Sequence, residues 1–126
     1  VIINIGTDIV ALVRIAKIYH QYPIAFQKRL LTAAEREEFS KRQHPISYLA
    51  GRWAAKEAIG KALSCGIKFG FQEMEVLTSP SGAPSVKLYG AMAKLAAELN
   101  VSKVHLSISH ERDYATAVVV LEGSAI

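Results

Sequence analysis

The nineteen residues Ile46–Ser64 constrain this chain more than any other stretch. They are rich in Ala, Leu, Lys and Glu, which lose little side-chain freedom in a helix, so they read as one long helix. Pro45 ends the polar segment before it, and Gly66, with no Cβ, suits a left-handed cap after it. The partners for such a helix are short alternating segments. Val1–Val10, rich in Ile and Val, predicts a strand ending at Thr7-Asp8. Met74–Thr78 and Val86–Tyr89, joined through Ser79–Pro84, predict a hairpin, and Val104–Ser109 and Tyr114–Glu122 predict two more strands.

The remaining segments read as helices. Val13, Ile15, Ile18 and Tyr22 supply the apolar side of a helix that Pro23 interrupts, and Ala25–Leu31 suits a short helical turn. Thr32-Ala33-Ala34-Glu35 is a capping box, in which a hydroxyl and a carboxylate satisfy orphan N–H groups reciprocally. The polar helix it opens is expected to run to about Gln43, and Gly90–Asn100 predicts an Ala-rich helix. The order β-α-α-α-β-β-α-β-β predicts an α+β fold, with antiparallel strands packed on one face by helices. With 126 residues, the expectation is one domain over 1–126.

Composition narrows the function classes. No apolar run reaches the ~18–20 residues of a membrane helix, and the N-terminus lacks the pattern of a secretion signal. The start at Val1 rather than Met points to a trimmed or processed terminus. One cysteine, Cys65, excludes an internal disulfide framework and a multi-thiolate zinc site. A cytoplasmic protein is the default expectation. The net charge of +4 is uneven: residues 1–63 carry +5 and residues 64–126 carry −1. Arg14, Lys17, Lys28 and Arg29 lie in a stretch without acids, either as a solvated helix face or as a field that steers an anionic partner.

Several polar residues stand where neutral ones would serve structure equally well. Asp8 closes a strand, Glu57 lies mid-helix with Lys61 one turn on, Arg52 and Lys56 are also one turn apart, and His110 ends a strand. Two carboxylates from separate elements are too few for a calcium cage. They suit Mg²⁺, which takes octahedral oxygen ligands at ~2.0–2.1 Å and keeps water or phosphate oxygens in the other positions. A nearby lysine would act as a point charge on those phosphates. The plain alternatives are an i,i+4 pair worth ~0.2–0.5 kcal/mol and a helix-capping Asp8. His110 is either structural or a phosphate donor, and parity puts His105 on the other strand face.

Together the motifs resemble one family. Ile5-Gly6-Thr7-Asp8-Ile9-Val10, Arg14-Ile15, Arg29-Leu30-Leu31-Thr32 with Glu35, and Phe39 look like the first half of the holo-acyl-carrier-protein synthases. Ala50–Ala58 with Lys61-Ala62 is similar to the signature of these small phosphopantetheinyl transferases, and Gly82-Ala83-Pro84, Ser107–His110 and Tyr114-Ala115 complete the pattern. The resemblance covers nearly the whole chain. It implies transfer of the phosphopantetheine arm of coenzyme A to a serine of apo-acyl carrier protein, with adenosine 3′,5′-bisphosphate leaving, in fatty acid biosynthesis.

The same resemblance implies roles. Asp8 and Glu57 would ligate Mg²⁺, and Lys61 would neutralise the phosphate under attack. Arg52 and His110 would meet the nucleotide end with its 3′-phosphate, and Ser64 and Gly66 would lie along the coenzyme. Either Glu57 or a metal-bound water would take the serine proton. The acidic carrier would dock on Arg14, Lys17, Lys28 and Arg29, Arg14 foremost. A homotrimer with active sites shared between subunits is implied, with Arg14 expected from the chain next to Asp8 and Glu57. Where the family often carries a Gly-Thr-Gly-like stretch, this chain has Ser64-Cys65-Gly66. The rival readings are a small basic nucleic-acid-binding protein and a non-catalytic oligomerising domain. Against the first, the positive charge is confined to one segment and no base-reading motif is present.

Overall fold

Long antiparallel strands carry the central helix across one face. In the computed structural model, which describes residues 1–124, the last two positions of the expected 1–126 domain lie outside the described residues. The order is β1 (Ile2–Ala11), α1 (Leu12–Gln21), α2 (Pro23–Leu30), α3 (Ala33–Phe39), α4 (Pro45–Ala62), a 3₁₀ turn (Phe71–Glu73), β2 (Met74–Thr78), β3 (Pro84–Leu88), α5 (Gly90–Glu98), β4 (Val101–His110) and β5 (Tyr114–Gly123). The α+β expectation holds. β5 lies between β1 and β4 in an antiparallel three-stranded sheet, and β2 and β3 form the expected hairpin.

The register explains how α4 reaches the sheet. Gly6, Asp8 and Val10 of β1 pair with Val119, Ala117 and Ala115 of β5, so all six point to one face. The side chains there are small, and α4 lies against both strands. The approach is closest at Gly6, where a Cβ would stand 2.1 Å from the Ala58 carbonyl oxygen. Leu49 and Ile59 are fully buried, each worth on the order of 1.5–3 kcal/mol. Ile5, Ile9 and Val118 face away from α4 and are exposed. The helices therefore cover one face only.

Several local expectations need correction. β1 continues to Ala11, so Asp8 sits within the strand rather than closing it, and the residue preceding α1 is Ala11, so Asp8 caps no helix. Pairing with β5 carries the strand on past the expected stop. The suggested turn at 25–31 is a full helix, α2, with Pro23 in its first turn, which gives four helices before the hairpin instead of three. Only Ile15 of the expected apolar side of α1 is buried, while Val13 and Tyr22 are exposed.

The Thr32–Glu35 capping box is present as expected. Its helix stops at Phe39, and Pro45 begins α4 rather than merely ending α3. Proline suits that position because the first helical N–H has no intrahelical partner. At the far end of α4 the left-handed turn starts at Ser64, φ 60°, before Gly66, φ 57°. The Gly66 N–H and the Cys65 N–H both donate to the Gly60 carbonyl at 3.0 Å, folding the turn back over the helix.

Candidate active site

The close approach at Gly6 brings Asp8, two residues further along the same strand face, beside the last turns of α4. Lys61 Nζ donates to Asp8 Oδ1 and to the Thr7 carbonyl, each at 3.0 Å. Asp8 is mostly buried while Lys61 stays half-exposed. Asp8 Oδ2 is buried with no hydrogen-bond partner among the described residues. Glu57 lies close enough to feel both groups. Burial and the Asp8 charge push its carboxyl above the ordinary range, against the opposing pull of Lys61 and Arg14.

A carboxylate with an unpaired buried oxygen, beside a second carboxyl whose proton affinity its charge raises, fits a divalent cation. No group of three or more His, Cys, Asp or Glu able to hold a metal occurs among the described residues. The donor set therefore suits an ion that keeps positions for water or a substrate oxygen, as Mg²⁺ does.

A second site lies at the other end of α4. A cavity of about 640 Å³ is lined by Arg52, His110, Lys41, Arg42 and His44, among others. Gly51 of α4 faces the end of β4, where a Cβ would stand 3.3 Å from Ile108 Cγ2 and 3.7 Å from His110 Nε2. Arg52 is buried along its stem, with its guanidinium 4.3 Å from the centre of the Tyr48 ring. It forms an ion pair with Glu38 at 3.0 Å.

The structure thus brings Asp8, Glu57 and Lys61 together, and separately joins Arg52 with His110. One chain does not unite the two groups. Arg52 and Lys61 are nine residues apart, two and a half turns, so they leave opposite sides of the helix. Arg52 reaches Val76 and Thr78 of β2, while Lys61 reaches β1. Ser64 lines a further, largely apolar hollow with Asn4, Cys65 and Lys68 just past Lys61, and Gly66 lies in the same turn.

Arg14 and Lys17 are exposed on α1, and Lys28 and Arg29 are exposed at the end of α2. The Arg14 guanidinium lies 5.3 Å from the centre of the Trp53 ring and pulls on the Glu57 titration of its own chain. Sequence reasoning missed Glu38, Tyr48 and Thr78 around Arg52. The Tyr48–Arg52 spacing of four was the one legible signal; the others come from separate elements.

The profile of the 4′-phosphopantetheinyl transferase superfamily matches residues 4–119. The chain belongs to this family. It is 38% identical over 124 residues to a holo-[acyl-carrier-protein] synthase of Serratia proteamaculans, covering 97% of this chain and 98% of the relative. The crystal structure of the holo-[acyl-carrier-protein] synthase of Neisseria meningitidis superposes with a TM-score of 0.90 at 40% identity, covering 97% and 99% of the two chains. The Helicobacter pylori synthase, solved in complex with coenzyme A, superposes with a TM-score of 0.82 at 33% identity, covering 94% of this chain and 99% of that one. The phosphopantetheinyl transferase fold expected from sequence is therefore the fold observed.

Proposed function

We propose that this protein is a holo-acyl-carrier-protein synthase: it transfers the phosphopantetheine arm of coenzyme A to a serine hydroxyl of apo-acyl carrier protein, releasing adenosine 3′,5′-bisphosphate. The observation that carries the site assignment is the meeting of Asp8 with Glu57 and Lys61, about fifty residues further along the chain, with Asp8 Oδ2 buried and unpaired among the described residues. Asp8 and Glu57 would hold Mg²⁺. Bound there, the ion would supply neutralisation of the negative charge on the diphosphate.

The residues of the chain do the positioning. Lys61 brings an ammonium to the phosphate under attack, and phosphoryl-type transfer depends mainly on such placement. Arg52 and His110 take the nucleotide end and its 3′-phosphate in the basic cavity. The backbone of Ser64–Gly66 runs beside the coenzyme. Arg14, Lys17, Lys28 and Arg29 receive the acidic carrier, mainly raising encounter rate and fixing its orientation.

Because Arg52 and Lys61 leave opposite sides of α4, a single coenzyme that engages both would bridge two copies of the chain. The uncovered sheet face with Ile5, Ile9 and Val118 supports such an assembly. A homotrimer with shared active sites accommodates both features. No helix among the described residues is long and apolar enough to cross a membrane. We place the protein in the cytoplasm, as a single domain over 1–126 serving fatty acid biosynthesis, with neither nucleic acid nor membrane as a partner.

The test is a mass measurement. Incubation with coenzyme A, Mg²⁺ and an apo-acyl carrier protein is expected to add one phosphopantetheine group to the carrier. A carrier mass that stays unchanged at saturating substrates would reject the reading.

A further inference from the structure

Arginine has five N–H donors, and protein groups take up three of those on Arg52. Nε donates to the Val76 carbonyl at 3.1 Å, and Nη2 donates to Glu38 Oε2 and Thr78 Oγ1, each at 3.0 Å. These atoms form one edge of the planar guanidinium. The two Nη1 donors have no protein partner among the described residues, and Arg52 lines the cavity it shares with His110.

Glu38 ties this arrangement together. Its Oε2 accepts from the Tyr48 hydroxyl at 2.7 Å as well as from Arg52, and its Oε1 accepts from the Thr78 N–H at 2.8 Å. Burial pushes the Glu38 carboxyl up, yet the bonds from Tyr48 and Thr78 and the charge of Arg52 outweigh it and hold it below the ordinary range. A carboxylate beside a site for anions weakens the field there. Here Lys41, Arg42 and Arg52 outnumber it around the cavity, and its bonds hold the arginine by one edge.

We infer that Glu38 is a positioning residue: it fixes the Arg52 guanidinium so that the Nη1 edge faces the cavity, and so sets how strongly this protein prefers a coenzyme carrying a 3′-phosphate over one lacking it. The inference rests on the reading of the cavity as the nucleotide end. Lacking the Glu38 bond, the guanidinium keeps only Val76 and Thr78 as hydrogen-bond partners and loses its charged one, so its plane is held less tightly, and the direction in which the Nη1 donors meet a phosphate depends on that plane.

The experiment measures Kd and KM for coenzyme A and for 3′-dephospho-coenzyme A. In E38A, KM for coenzyme A should rise about tenfold with kcat nearly unchanged, while the dephospho compound is little affected; such a split marks lost binding that is uniform between ground and transition states. E38Q should fall between E38A and wild type. Y48F, which keeps the ring and removes one bond to Glu38, should shift the ratio in the same direction by a smaller factor, and it serves if E38A fails to fold. R52A separates the two levels. If R52A abolishes the preference while E38A, or Y48F in its place, leaves it at the wild-type value, the positioning role is overturned and the cavity assignment stands. If R52A also leaves the preference unchanged, the cavity is not the 3′-phosphate site and both fall.

Discussion

Lys56 and Lys61 stand five residues apart on α4, each against one carboxylate, and the two pairs differ in what remains unused. Lys56 is fully buried and spends all three ammonium donors, on the Leu30 carbonyl at 2.6 Å, Glu35 Oε1 at 2.7 Å and the Phe71 carbonyl at 3.1 Å. Its partner Glu35 is spent too, since Oε1 also accepts from the Thr32 N–H and Oε2 accepts from the Val76 N–H, both at 2.7 Å. Burial pulls the Lys56 ammonium downward in proton affinity, with the Glu35 charge and hydrogen bond opposing it. At Lys61 the pair is open to solvent on one side, Asp8 Oδ2 has no partner, and Glu57 adds a second negative charge. A saturated ion pair holds elements together. An unsaturated one leaves room for a ligand.

The comparison breaks most sharply at the carboxylates. Asp8→Ala and Glu57→Ala should each lower transferase kcat/KM by ~10³-fold or more, about 4 kcal/mol of transition-state stabilisation. Their melting temperatures should stay within a few degrees of wild type, because the Asp8–Lys61 pair is open to solvent on the lysine side and removing either carboxylate relieves the repulsion between the two. Retention of wild-type turnover by either variant would remove the two-carboxylate site.

The Lys56 pair should behave in the opposite way. Lys56→Ala leaves Glu35 buried and uncompensated, and a loss of ~3–5 kcal/mol of stability is expected from chemical denaturation. Lys56→Met, which removes the charge but fills the space, should show how much of that loss is packing. If Lys56→Ala melted like wild type yet lost turnover, the division between the two pairs would be wrong.

The smallest effect is the pH dependence of the open site. The Glu57 carboxyl is raised in the folded protein, so its contribution to stability is present below the ordinary carboxylate range of ~4.3 and is lost as pH rises through the folded value. Without divalent cations, Glu57→Gln should therefore match wild type at low pH and melt a few degrees higher near pH 7. Equal melting temperatures at both pH values would mean that neither burial nor the Asp8 charge raises the Glu57 carboxyl.

These differences also show what could be read from the chain before folding. The capping box at Thr32–Glu35 is a local motif, legible because all its bonds close within four residues. The hidden half of Glu35 was not legible: its partners Lys56 and Val76 lie 21 and 41 residues away. Asp8 stood out by type but was given the wrong place in its strand, since the length of β1 is set by pairing with β5. Glu38 gave no sign, because its role depends on Tyr48, Arg52 and Thr78 arriving from two other elements.

What the sequence by itself determined was the set of elements and the candidate chemistry. Helix propensity, period-two alternation and turn residues act over a few positions, and the family motifs name residues without placing them. The tertiary structure decided which of these residues meet. Gly6 lets β1 and α4 approach closely enough for Asp8 and Lys61 to touch, and the helical twist sends Arg52 to the other side. Contacts between distant segments depend on packing and register, and no window of neighbouring residues contains that information.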